Sequence, residues 1–251
     1  MFNFRVIPIL TINEGKLVKT FKFNNNTYVG DPINTVKIFN NKFVDELIIL
    51  DISKSVLNLD PDFENIKSIC SECFSPITYG GGVSKIDHCT KLFELGVEKI
   101  VFNNVLFEDR EFLDEFVKIF GSQSMILSLN IFFQKDDYFI YDYRKKKITN
   151  IKLKDFFKEI LSIDPGEILL YSVDRDGSKI GLDFNILENI DNTANIPIIL
   201  AGGLNNYKEI MEAKKMKLDA VAGSYFFTMH GKFNSILISY LSSKQIEQIR
   251  E

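Results

Sequence analysis

The chain has 251 residues, 45% of them hydrophobic and 25% charged, with a formal net charge of −4 and a pI near 5.4. This mildly acidic balance gives no basic footprint for nucleic acid or an anionic membrane, and no stretch reaches the ~18 apolar residues of a membrane span. The opening MFNFRVIPIL carries an arginine inside a short apolar run and no small-residue cleavage site, so the cytosol is the expected location.

Short β-rich runs alternate with amphipathic ones along the chain. FRVIPILTI comes first, followed by an insertion over residues 16–31 that is too long for a tight strand-to-helix turn, and by the helical pattern PINTVKIFNNKF. ELIILDIS precedes ENIKSICSECF, which reads as a helix holding Cys70 and Cys73. PITYG, SKIDHCTKLFELG, KIVFN and DREFLDEFVKIFG continue the alternation to MILSLNIFF. Residues 136–149 then alternate like a hairpin. KLKDFFKEILSI, EILLYSV, the helical pattern DFNILENI, PIILAG, NYKEIMEAKK and DAVAGS complete the series. Near-continuous apolar strands separated by helices are the pattern of a parallel sheet covered on its outer face. Eight such units in about 250 residues predict one (β/α)₈ TIM barrel domain spanning residues 1–251. One C-x-x-C with no second pair, and two histidines (His88 and His230) without ligand spacing, predict neither metal nor cofactor.

An internal repeat supports the barrel. DELIILDIS (45–53) aligns with GEILLYSVD (166–174) at an offset of 121 residues. The same offset aligns PITYGGGVS with PIILAGGLN and residues 97–103 with 218–224, so the chain is expected to be two fused half-barrels. Both insertions should extend over the C-terminal face, where long loops are often lids; Lys19 is the candidate residue of the first.

Glycine or small polar clusters fall at four predicted strand ends: Gly80 to Gly82, Asn103 with Asn104, Gly202 with Gly203, and Gly223 with Ser224. Glycines there let backbone N–H groups approach an anion. Their two-fold register predicts two phosphate sites on opposite sides of one mouth, and hence a ligand with a phosphate at each end.

These residues carry a resemblance. RVIPIL, the G-D-P at Gly30, DELIILDIS, the triple glycine, the D-R-D-G at Asp174 and the A-G-G at Ala201 resemble the cyclase subunit of imidazole glycerol phosphate synthase over essentially the whole chain. The resemblance implies that Gly82, Asn103 and Asn104 hold one phosphate of a bis-phosphorylated ribonucleotide. Asp176, Gly177, Gly203, Gly223 and Ser224 would hold the other. Asn104 replaces a threonine usual in that family. The family's acid/base pair consists of two aspartates, and their positions here are Thr11 and Asn130. Neither side chain has a pKa suited to exchanging protons near neutrality, which argues against the normal cyclase step.

The opposite end keeps more. Arg5, Glu46, Lys99 and Glu167 lie at or near the starts of four predicted strands, where an unpaired charge entering the barrel would be costly. Two positive and two negative residues could close a ring across the barrel floor. In the family that ring admits ammonia from a docked glutaminase, and Glu98 lies where an aspartate pairs with a glutaminase lysine. An intact entrance with a missing acid/base pair resembles a side branch associated with bacterial surface-sugar amidation. There the barrel and a glutaminase supply nitrogen to a sugar amidotransferase that converts an acetamido to an acetamidino group. That is the leading expectation. A cyclase of histidine biosynthesis with altered acid/base residues is the second, and a non-catalytic scaffold that activates the glutaminase is the third.

Overall fold

In the computed structural model, which describes residues 4–250, the chain opens with β1 (Arg5–Asn13). The end of β1 continues into an antiparallel hairpin of β2 (Lys16–Phe21) and β3 (Asn24–Gly30). The first insertion is thus a paired ribbon. Asp31 then starts α1 (Pro32–Asn40): its carboxylate accepts the Asn34 N–H at 2.8 Å, and Pro32 arrives with a preset helical φ. β4 (Leu47–Asp51), α2 (Ile52–Leu57), α3 (Phe63–Cys70), β5 (Ile77–Gly80), α4 (Ile86–Glu94), β6 (Lys99–Phe102), α5 (Val105–Glu108) and α6 (Arg110–Phe120) finish the first half.

The second half repeats the plan. β7 (Met125–Gln134) runs into the hairpin β8 (Asp137–Asp142) and β9 (Lys147–Lys152), the counterpart of β2 and β3. After it come α7 (Leu153–Leu161), β10 (Glu167–Ser172), β11 (Ile198–Ala201), α8 (Tyr207–Lys215), β12 (Ala220–Gly223), α9 (Tyr225–Thr228) and α10 (Ser243–Arg250). Eight parallel strands follow the order β1, β4, β5, β6, β7, β10, β11, β12, and β12 pairs back onto β1 to close the barrel.

Strand alternation sorts the apolar side chains into two cores. Ile7, Ile9, Ile48, Val101, Ile126 and Leu169 fill the barrel interior. Val6, Leu10, Leu47, Ile100, Leu127 and Leu170 point outward, in one cluster with helix residues such as Val36, Leu92, Phe116 and Phe157. Both faces of each strand are buried, which is why the strands read as near-continuous apolar runs.

The two-fold relation reaches single glycines. Gly81 has φ +134° and Gly202 φ +95°; a Cβ at Gly81 would collide with the Asp51 carbonyl and one at Gly202 with the Ser172 carbonyl. Both collisions are with the end of the strand immediately before, so only glycine lets each chain turn pass.

Two readings of local structure are corrected. DFNILENI forms a short 3₁₀ helix, Phe184–Asn189, with no side-chain cap. The carboxylate of Asp183, which would cap it, is instead held by the Tyr138 hydroxyl at 3.0 Å and by Arg175 at 3.2 Å. The C-x-x-C pair is not within one helix: α3 ends at Cys70, and Cys73 donates its thiol to the Ser75 carbonyl at 3.3 Å.

Candidate functional site

The C-terminal mouth encloses a cavity of about 340 Å³. Thr11 and Asn130 both line it, each buried. Thr11 pairs with Leu50 across β1 and β4, and Asn130 pairs with Tyr171 across β7 and β10. Leu50 and Tyr171 are themselves related by the repeat, so Thr11 and Asn130 occupy equivalent places in the two halves. Asp51 also lines the cavity and caps α2 by accepting the Ser53 N–H and hydroxyl. Burial pushes its pKa above the usual carboxylate range, although those hydrogen bonds and nearby Lys54 pull the other way. Its counterpart in the second half is Ser172, whose buried hydroxyl has no hydrogen-bond partner among the described residues.

The first set of expected phosphate residues opens onto the cavity. Gly82, Asn103 and Asn104 line it and are half-buried. The Gly82 N–H donates to Ser55 Oγ at 3.1 Å, the Asn103 amide to the Ser128 carbonyl at 2.6 Å, and the Asn104 amide to the Tyr143 hydroxyl at 2.8 Å. Lys146, from the turn between β8 and β9, supplies a cation on the same cavity wall.

The second set is placed differently. Gly203, Gly223 and Ser224 are buried and none lines the cavity. Asp176 is buried too, and its carboxylate accepts from Lys19 Nζ at 2.6 Å, Thr20 Oγ1 at 2.6 Å and the Tyr171 hydroxyl at 3.2 Å. Its backbone N–H donates to the Val173 carbonyl at 3.2 Å. Asp176, expected beside a phosphate, has its carboxylate filled by these donors and ties the first hairpin to the second half. Lys19, expected in a lid, is the buried cation of this tie in β2.

At the barrel floor the four charges close a ring. Arg5 Nη1 reaches Glu46 at 2.7 Å, and its two terminal nitrogens reach Glu167 at 3.1 and 2.6 Å. Lys99 Nζ reaches Glu167 at 2.6 Å and Glu46 at 3.3 Å. Thr78 Oγ1 donates to the remaining Glu46 oxygen at 2.7 Å. Every charge thus faces two opposite ones, the arrangement in which buried ions are tolerated. Burial works against ionising Glu167, but the Arg5 hydrogen bonds and the charges of Arg5 and Lys99 outweigh it and hold its carboxyl below the usual range. Glu98 stands exposed beside Lys99 on this face.

A family model for histidine biosynthesis proteins matches residues 5–232. The chain belongs to this family. Among its relatives, a Pseudomonas aeruginosa protein provisionally named imidazole glycerol phosphate synthase subunit hisF2 is 39% identical over 241 residues, 94% of this chain and 95% of that one. Imidazole glycerol phosphate synthase subunit HisF of Staphylococcus epidermidis is 32% identical over 238 residues, 94% of either chain. The same subunit of an Exiguobacterium species is 30% identical over 220 residues, 88% of this chain and 86% of that one. The chain is therefore a HisF-like member of the histidine biosynthesis family, and the fold and relatives agree along nearly its full length. Sequence reasoning missed Tyr143, Ser55 and Lys146 at the mouth of this HisF-like barrel. Their only signal was membership in an α2 turn or a hairpin whose direction the sequence does not specify.

Proposed function

We propose that this HisF-like barrel is the ammonia-receiving subunit of a glutamine-dependent amidation system for a surface-carbohydrate sugar. A glutaminase partner docks over the N-terminal strand ends, and a sugar amidotransferase uses the nitrogen to turn an acetamido into an acetamidino group. The observation that carries the reading is the contrast between the two ends: a complete ring of Arg5, Glu46, Lys99 and Glu167, and Thr11 with Asn130 at the acid/base positions.

The ring suits the passage of neutral ammonia. Its carboxylates are fully occupied by Arg5, Lys99 and Thr78, so they offer an ammonium ion no free seat, and the apolar barrel above penalises an unpaired charge. Neutral ammonia meets neither barrier. Above the ring the interior is apolar, lined by residues such as Ile7, Ile48 and Leu169. Thr11 and Asn130 can hydrogen-bond a ligand at the mouth but cannot shuttle its protons.

The second reading, a cyclase of histidine biosynthesis, is favoured by the names of the Staphylococcus and Exiguobacterium relatives. Two assays separate the readings. Cyclase turnover with ammonium salts and the bis-phosphorylated ribonucleotide should be negligible for this chain. With the glutaminase and sugar amidotransferase added, glutamine hydrolysis should be matched by nitrogen delivered to the sugar. Turnover like that of an ordinary cyclase would end the amidation reading, as would a barrel that binds no glutaminase.

A further inference from the structure

Under the proposed function, nitrogen that passes the floor ring is used beyond the mouth, since Thr11 and Asn130 shuttle no protons there. Ammonia that reaches bulk water is protonated and lost, so the mouth has to be covered while it passes. The surface around the opening suits a cover. On the first-half side, Val56, Leu57 and Leu59 follow β4 and are exposed, and the first two line the cavity itself. On the second-half side, the exposed Phe21 at the end of β2 comes within 3.5 Å of a Cβ placed on Gly177. Ile180, three residues on, is 63% exposed. Phe233 is 87% exposed in the turn of a short ribbon, β13 (Met229–His230) and β14 (Ser235–Ile236). Lys179 ties that ribbon to the segment after β10 by donating to Asn234 at 2.5 Å, and the Tyr225 hydroxyl donates to the same oxygen at 2.7 Å. Ile180 and Phe233 are thus carried by two joined segments.

Apolar residues scattered singly on a surface are ordinary, whereas a patch of them around one opening marks an interaction site. The charges say what kind. Lys22, Lys146, Lys147 and Lys232 are exposed on loops of the same face and have no carboxylate partner among the described residues. Glu14 and Asp136 stand there too, so cations are in excess although the whole chain carries −4. We propose that the mouth docks a protein, the enzyme that holds the amide acceptor, through an apolar centre and an acidic rim on that enzyme. The barrel then sits between two partners and hands on at the mouth the nitrogen it takes at the floor. Val56 and Leu57 carry the sealed surface down into the cavity. That continuity favours a protein over a lipid surface, which would close the opening without presenting an acceptor to it.

The inference rests on the proposed function for the existence of that enzyme and adds where it sits. Isothermal titration measures the sugar amidotransferase against the purified barrel–glutaminase complex, for wild type, Ile180→Glu, Phe233→Glu and the control Ile119→Glu. Ile119 is an exposed residue of α6, away from the mouth. Wild type and the control should bind alike, and binding should weaken as salt is raised. Each mouth variant should bind about tenfold more weakly or worse, as expected when a charge enters the apolar centre of an interface. All four should hold the glutaminase equally, and the mouth variants should hydrolyse glutamine while delivering less nitrogen to the sugar. Mouth variants that bind and deliver like wild type would overturn this inference and leave the proposed function standing. So would an amidotransferase that binds the glutaminase and not the barrel. Sedimentation with phosphatidylcholine–phosphatidylserine vesicles that is lost in Phe233→Glu would assign the patch to a membrane instead. A wild-type mixture that delivers no nitrogen defeats the proposed function and this inference with it.

Discussion

Replacing Lys99 with methionine is the sharpest probe of the barrel floor, because it removes one charge and keeps the length of the side chain. Glu167 retains its two-pronged contact with Arg5 at 2.6 and 3.1 Å, and Glu46 retains Arg5 at 2.7 Å and Thr78 at 2.7 Å. What is lost is balance, since two buried carboxylates must then share one cation. Breaking a buried ion pair typically costs ~3–5 kcal/mol. Lys99 keeps 21% of its side chain exposed and both glutamates keep a partner, so about 2–3 kcal/mol is expected here. At ~2–4 °C per kcal/mol for a chain of this size, the melting temperature should fall by about 4–12 °C. Arg5→Met should cost more, because Arg5 is the shorter contact to Glu46 and the bidentate contact to Glu167. Adding Glu46→Gln to Lys99→Met restores one charge of each sign, and its amide oxygen can still accept from Thr78. The double variant should therefore recover part of the loss. With the glutaminase present, Lys99→Met should also lower the nitrogen delivered per glutamine hydrolysed. Thermal melts and the coupled assay read the two effects separately. A neutral Lys99→Met, or a double variant whose losses simply add, would show that the four charges do not act as a ring. An unchanged coupling ratio would leave a plug and remove the channel.

Three further outcomes follow from the same geometry. Glu167 has a folded-state pKa below its unfolded value of about 4.3, so its stabilisation is complete above that pH and is lost as pH falls through the folded value. Melts of wild type and Glu167→Gln should accordingly differ most near neutrality and draw together as the pH falls below the usual carboxylate range; a gap that does not shrink on acidification contradicts the charge assignment. Gly81→Ala and Gly202→Ala each force a Cβ onto a strand carbonyl from a positive φ, and each should cost about 2–4 kcal/mol by denaturant titration; tolerance of either would mean that the turn relaxes easily. Finally, the double variant Thr11→Asp, Asn130→Asp restores the carboxylates, a change typically worth ~10²–10⁴-fold in acid/base catalysis. It should recover part of the cyclase turnover measured with ammonium salts and the bis-phosphorylated ribonucleotide; a double variant as inactive as wild type would show that more than these two positions separates the barrel from a cyclase.

The sequence carried the barrel because its information is periodic. Inward and outward apolar residues alternate on strands buried on both faces, and the 121-residue repeat places Gly81 over Asp51 and Gly202 over Ser172 in the same way. The floor ring was legible for a related reason. Arg5, Glu46, Lys99 and Glu167 are charges at strand starts, and the strand register alone brings four such positions to one level of a closed barrel. The mouth was only half legible. Repeat symmetry argued for two equal phosphate ends, but symmetry of the strands does not extend to the hairpins that follow them. Lys19 and Asp176 are 157 residues apart, and no local pattern announces that one will neutralise the other. Once that pair forms, the hairpin is placed: the Asp176 carboxylate is held by β2, Phe23 is carried onto Tyr171, and the cavity is lined by strand ends of the first half together with Asn130, Tyr143 and Tyr171 of the second. A strand scaffold fixed by short-range alternation therefore leaves the shape of its mouth to long-range pairs between loops, and in this chain one buried ion pair, Lys19 with Asp176, decides where the first hairpin lies.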